Sequence, residues 1–137
     1  MSESKIDPIN GDKINDRIVW IDCEMTGLDL EKDALIEIAV IVTDADLNPL
    51  GDGVDIIIKP PEGFTMNDFV TNMHTESGLL KELESGTTLE SAQTEVMAYI
   101  TQWIPESRKA PLAGNSVGMD RLFIARDLPL LLSLIHI

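Results

Sequence analysis

Arg17-Ile18-Val19-Trp20-Ile21-Asp22-Cys23-Glu24-Met25 is the stretch on which the reading of this chain turns. Branched and aromatic residues dominate it, so it reads as a β-strand whose side chains alternate between two faces. Asp22 and Glu24 then project from one face, their backbones about 6.5–7 Å apart at about 3.3 Å per residue. Two acids side by side at the end of an apolar strand repel each other and lose hydration. A hard cation resolves that conflict, because carboxylate oxygens are its natural ligands. The pair therefore points to a metal-dependent reaction. The competing reading is a pair of solvated strand-end acids. Thr26-Gly27-Leu28-Asp29 tips the balance, since it turns the strand end into a loop, where binding residues gather.

Working outward, 137 residues with 44% hydrophobic content suffice for one domain with a sizeable core. The single cysteine, Cys23, excludes an internal disulfide framework and reads as a packed thiol in a reducing compartment. Residues 1–16 read as a flexible leader; Met1 to Lys13 is polar, carries Asp7 and Asp12, and resembles neither a secretory signal nor a mitochondrial presequence. No run approaches the length of about 20 apolar residues that a membrane span needs. A soluble, cytoplasmic protein is the expectation. The formal net charge of -14, from 10 Lys+Arg against 24 Asp+Glu, excludes a long basic groove. A nucleic-acid substrate would have to be short, with bound cations neutralising much of its charge. Otherwise the acidity serves solubility.

Ala34 to Thr43 is nearly continuously apolar and predicts a central strand. Asp44 to Pro49 reads as a tight turn, and Val54 to Lys59 as a third strand ending at Pro60-Pro61. Short connections make these three an antiparallel meander. Thr75 to Leu83 predicts a short helix. Thr87 to Trp103 predicts a longer one, with Thr87 and Glu90 at capping-box spacing and an apolar stripe of Leu89, Ala92, Val96, Ile100 and Trp103. Pro111 to Gly114 suits a strand returning to the sheet, and Met119 to Asp127 a helix after it. The expected fold class is α/β, a mixed sheet covered by helices.

Asp120 falls where a strand gives way to a helix, a common place for site residues in α/β sheets. Taken singly, it could serve only to complement the helix dipole. The joint pattern of Asp22-x-Glu24 with a later acid in Gly114-Asn115-Ser116-Val117-Gly118-Met119-Asp120 favours a site. Asp29-x-Glu31-x-Asp33 hints at a calcium loop but fails: Ala34 stands where an EF-hand needs Gly, and Val40 where it needs Glu.

Trp20 to Leu28 and Gly114 to Asp120 closely resemble the first and second exonuclease motifs of oligoribonucleases. These are 3′-to-5′ exoribonucleases of the DEDDh group, within the RNase H-like superfamily. The resemblance runs from about Arg17 to Pro129 and takes in Leu35-Ile36-Glu37-Ile38-Ala39 and His74 to Leu79. It implies an RNase H-like fold, incomplete at the C-terminus. It also implies two divalent ions, Mg²⁺ or Mn²⁺, held by Asp22, Glu24 and Asp120, about 3.5–4 Å apart on either side of an in-line displacement. The implied substrates are RNAs of two to five nucleotides, degraded to nucleoside 5′-monophosphates, and the implied assembly is a homodimer.

The same resemblance assigns binding roles. Leu28 matches an apolar wedge against terminal bases. Phe69 stands where the family usually has Trp and could stack on a base. His74 matches a residue near the 5′-phosphate, and Ser116 a phosphate- or sugar-contacting position. Read without the family, Phe69 is a core aromatic and His74 a helix-entry polar residue.

The chain departs from the family after Pro129. Family members go on to a His-x4-Asp motif that supplies the general base and the last metal ligand. These 137 residues contain no such motif: His74 matches another position, and only Ile137 follows His136. Residues 130–137 form a densely apolar tail that is atypical of the family; the other reading is a genuine short helix packed on the sheet. Residues 17–129 are accordingly expected to be a partial exonuclease domain, with impaired dimerisation and activity. The alternative is a non-catalytic module that binds a metal or a short nucleotide.

Overall fold

The computed structural model of the chain describes residues 17–60, 85–105, 110–115 and 117–135. Strands β1 (Arg17–Met25), β2 (Leu35–Asp44) and β3 (Pro49–Ile57) form an antiparallel meander. Helix α1 (Leu89–Trp103) follows, then a short strand β4 (Leu112–Ala113) lying parallel to β1. The sheet order is β3-β2-β1-β4, a mixed four-stranded sheet as expected. Helices α2 (Val117–Asp127) and α3 (Pro129–Leu132) complete the described residues. The expected leader, the expected helix over 75–83, and Phe69, His74 and Ser116 lie outside them.

One face of the sheet makes the core. Val19, Ile21 and Cys23 of β1 join Ile38, Val40 and Val42 of β2, and α1 and α2 cover them with Ala92, Val96, Ile100, Phe123 and Ile124. Burial alternates along β1 because every second side chain turns inward. The alternate residues, Asp22 and Glu24 among them, are left on the opposite face.

Several boundaries differ from expectation, two of them for reasons that packing supplies. β3 begins at Pro49, not Val54. Gly51 and Gly53, which precede the expected strand, take φ of 72° within the observed one, a conformation that glycine adopts at little cost. There β2 and β3 change register, from Val42↔Leu50 to Val40↔Val54. A bulge of this kind disrupts the backbone ladder locally. Tyr99 bridges it: its hydroxyl accepts from the Val42 amide at 2.9 Å and donates to the Leu50 carbonyl at 2.6 Å. The turn before β3 is tightened by Asp44, whose Oδ1 accepts from the amides of Asp46 and Asn48, both at 2.9 Å.

The second difference is the helix cap. Thr88 caps α1, its hydroxyl accepting from the Ser91 amide at 3.1 Å. Thr87, one residue earlier, is drawn into a parallel bridge with Ile58. Strand pairing thus takes the residue that local spacing had marked as the cap. Tyr99 also joins the buried face that the apolar stripe had defined without it.

The apolar segment after Asp127 packs into the core. Leu128, Leu131 and Ile135 are buried, while Leu130 is exposed. The Leu130 amide donates to Gln93 Oε1 at 2.9 Å, tying α3 to α1. Through residue 135 the segment packs against α1 and α2.

Candidate active site

β1 delivers Asp22 and Glu24 to the face away from the helices, Asp22 exposed and Glu24 half-buried. The antiparallel register sets Glu37 of β2 directly across from Glu24. In the next row Asp22 faces Ala39, which in turn faces Asp55 of β3. Sequence reasoning missed Glu37 and Asp55 as members of this face. The signal for Glu37 was present, a carboxylate inside the apolar run of β2, but its position opposite Glu24 is a matter of strand register.

Asp120 stands in the first turn of α2, only 5% exposed, near enough to Asp22 and Glu24 for their charges to act on it. The Cys23 amide hydrogen-bonds its carboxyl, which fastens the helix to the middle of the Asp-x-Glu motif. Its Oδ2 is buried and has no partner. Burial, and next the charge of Asp22, push the Asp120 carboxyl up to about 6; the Cys23 amide pulls the other way, and Glu24 adds to the rise. Three residues distant in sequence are thus electrostatically coupled. Cys23 points the other way, into the core. Burial raises its thiol far above the usual range, reinforced by Asp120, Asp22, Glu24 and Glu37. A thiol so disfavoured as thiolate is a packing residue, not a nucleophile.

Such a donor set suits a hard divalent cation. It is made of carboxylate oxygens, one of them buried without a hydrogen-bond partner. Among the described residues no three His, Cys, Asp or Glu side chains form a ready metal cage. Uncompensated like charges splay apart, and magnesium-type sites are built from one or two carboxylates completed by water and substrate oxygens. The residues fit an open ion site and not an all-protein cage.

Two features border the acids. A cavity of about 560 Å³ opens beside Asp22, floored by Trp20, Ala39 and Ile41 and rimmed by Asp55 and Asn115. Beyond the end of β1, Leu28 stands 68% exposed on the loop to β2. Leu28 is the one sequence-predicted binding residue among those described. No helix among them is long and apolar enough to cross a membrane.

A three-stranded meander extended by a parallel strand, with acids on the first strand and on the helix after the fourth, defines an RNase H-like fold. The exonuclease I of Methylocaldum szegediense shares it at a TM-score of 0.62 and 22% identity, over 82% of this chain and 24% of that one. So does Escherichia coli exonuclease I in complex with a dA16 oligonucleotide, at a TM-score of 0.63 and 16% identity, over the same shares. The chain belongs to the exonuclease (RNase T) family, whose model matches residues 19–137. It is 58% identical to the oligoribonuclease of Streptomyces avermitilis over 125 residues, 90% of this chain and 62% of that protein. For the oligoribonuclease of Cutibacterium acnes the figures are 58% over 121 residues, 87% and 60%. The Mycobacterium tuberculosis oligoribonuclease is 52% identical over 126 residues, 90% of this chain and 59% of that protein. The chain therefore spans about 60% of the length of the curated relatives it matches.

Proposed function

We propose that this chain is the metal-binding portion of a 3′-to-5′ exoribonuclease that converts oligoribonucleotides of two to five nucleotides into nucleoside 5′-monophosphates. The observation that carries the reading is the pairing of Asp22 and Glu24 on one face of β1 with a buried, unpartnered Asp120 carboxyl at the start of α2, in a chain 58% identical to an oligoribonuclease. In this reading Asp22, Glu24 and Asp120 hold two divalent ions, Mg²⁺ or Mn²⁺. When bound, the ions supply charge neutralisation at the phosphate and acidify an attacking water. Asp120 orients its carboxyl through the Cys23 amide, and Asp22, the most exposed of the three, faces the substrate side. Leu28 wedges against a terminal base. Phe69, His74 and Ser116 contact base, 5′-phosphate and sugar or phosphate in turn. A chain at net charge -14 suits short substrates, whose few phosphates the ions can neutralise.

The proposed working context is cytoplasmic, and the proposed assembly is a homodimer. Residues 1–16 are proposed as a leader, 17–129 as a partial exonuclease domain, and 130–137 as a tail not native to the family. A polypeptide of these 137 residues carries no His-x4-Asp, hence no general base on the water. Its turnover should fall by a factor on the order of 10²–10⁴. The second reading is a non-catalytic module binding a metal or a short nucleotide.

Incubating the chain with a 5′-labelled diribonucleotide and Mn²⁺, with calorimetry in parallel, separates the readings. Slow release of mononucleotide that stops in Asp22→Asn and with chelator supports the exonuclease. Binding without product supports the second reading. Neither binding nor product would overturn both.

A further inference from the structure

The loop between β1 and β2 is closed by its own carboxylate. Thr26, at the end of β1, is fully buried, and its amide donates to the Ala34 carbonyl at 2.9 Å. The Thr26 hydroxyl accepts from the Ala34 amide at 2.9 Å and donates to Asp33 Oδ1 at 3.0 Å. Asp33 Oδ2 accepts from the Asp29 amide at 2.9 Å. Asp29 in turn takes the Asp33 amide on its carbonyl at 2.7 Å and the Glu31 amide on Oδ1 at 2.8 Å. Gly27 lies against the same carboxylate so closely that a β-carbon there would sit 2.3 Å from Asp33 Oδ2. From outside, Arg126 of α2, the helix that carries Asp120, donates to the Leu30 carbonyl at 2.5 Å.

These polar groups point into the loop, and the large apolar side chain of Leu28 points out of it, 68% exposed. An exposed leucine on a flexible loop would have to be ordered at each binding event, whereas a loop held from within presents it already placed. We infer that Asp33, acting through Thr26 and the Asp29 amide, is a positioning residue that holds Leu28 ready for the terminal base of the substrate. The inference rests on the exonuclease reading for the identity of the ligand. Asp33 touches neither the metal ligands nor the reacting atoms. Its effect falls on substrate affinity and leaves ion binding alone.

The chemistry separates this role from a purely electrostatic one. Asp33→Asn removes a negative charge near a polyanionic ligand, so charge alone would tighten binding. The same change leaves one oxygen for the Asp29 amide and sets an amide nitrogen opposite the Thr26 hydroxyl, whose proton then loses its acceptor, so both charge-assisted bonds of the latch are weakened or lost. Positioning therefore predicts weaker binding.

The test measures diribonucleotide affinity with Mn²⁺ by calorimetry for the full chain and for Asp33→Asn, Leu28→Ala and the double variant. The expected loss in Asp33→Asn is roughly three- to tenfold, the size of one ordering cost converted to affinity. Mn²⁺ affinity should stay within about twofold, and Asp33→Asn should add little in the Leu28→Ala background, since coupled residues are non-additive. Tighter dinucleotide binding, an equal loss of Mn²⁺ affinity, or full additivity with Leu28→Ala overturns the inference. Thr26→Ser and Thr26→Val form a second pair: the serine should keep affinity and the valine lose it, and equal behaviour of the two counts against the latch. Hydrogen exchange at the Asp29 amide reads the latch without ligand; unchanged exchange in Asp33→Asn overturns it. Failure of the unmodified chain to bind the dinucleotide strikes instead at the exonuclease reading.

Discussion

Replacing Asp120 by Asn should stabilise this protein when no divalent ion is present, although the residue sits at the heart of the candidate site. Asn retains an oxygen to accept from the Cys23 amide, and its amide nitrogen offers donors toward Asp22 and Glu24 where the buried Oδ2 has no partner. The sign follows from the carboxyl's position at about 6 against 3.8 in the unfolded chain. The folded state binds the proton more tightly than the unfolded one. Its contribution to stability is therefore fully present below 3.8 and lost as pH rises through about 6. Above that window the ionised carboxylate opposes folding by up to about 3 kcal/mol, at 1.36 kcal/mol per tenfold change in acidity. Water reaches the exposed Asp22 and screens the repulsion, so about 1–2 kcal/mol is expected. That corresponds to a Tm rise of roughly 3–8 °C for a domain of this size. The assay is thermal unfolding of both proteins at about pH 5 and about pH 7.5, with and without Mn²⁺, chosen to bracket the shifted carboxyl. Without metal, Asn should be ahead at the higher pH and lose its lead toward the lower. With Mn²⁺ the order should reverse, because the ion binds only the folded parent. A variant less stable than the parent at neutral pH in chelator, or a parent indifferent to pH across this window, would refute the argument that buried repulsion raises Asp120.

Two further outcomes follow from the packing. Tyr99→Phe strands the Val42 amide and the Leu50 carbonyl at the bulge and should cost about 1–3 kcal/mol, read by chemical denaturation. Leu131→Ala empties a fully buried position on α3 and should cost about 2–5 kcal/mol in the same assay, a loss too large for a tail that merely lies on the surface.

The acids of β1 were legible because a strand's period is two: once Arg17 to Met25 is a strand, Asp22 and Glu24 share a face whatever the rest of the chain does. Asp120 was legible as a candidate from its place between a strand and a helix, and as a partner of Asp22 only through motif resemblance. Glu37 illustrates the limit. Its alternation says which face of β2 it occupies, but only pairing says that Glu24 stands opposite it. β3 was misplaced for a related reason. Gly51 and Gly53 have the composition of a turn, and the bulge that uses their positive φ exists only because β2 lies alongside.

Local sequence alone determined β1, β2, the main helices and the side chains each presents, since periodicity and turn chemistry act over a few residues. The tertiary structure decided what depends on apposition. It seated Leu131 in the core, passed the helix cap from Thr87 to Thr88, buried Asp120 beside two like charges, and closed the Leu28 loop on Asp33. Apart from the loop closure, which spans seven residues, these are contacts between segments whose separation along the chain carries no information about their distance in space. Their energies, from desolvation to close packing, arise only once the chain has brought those surfaces together.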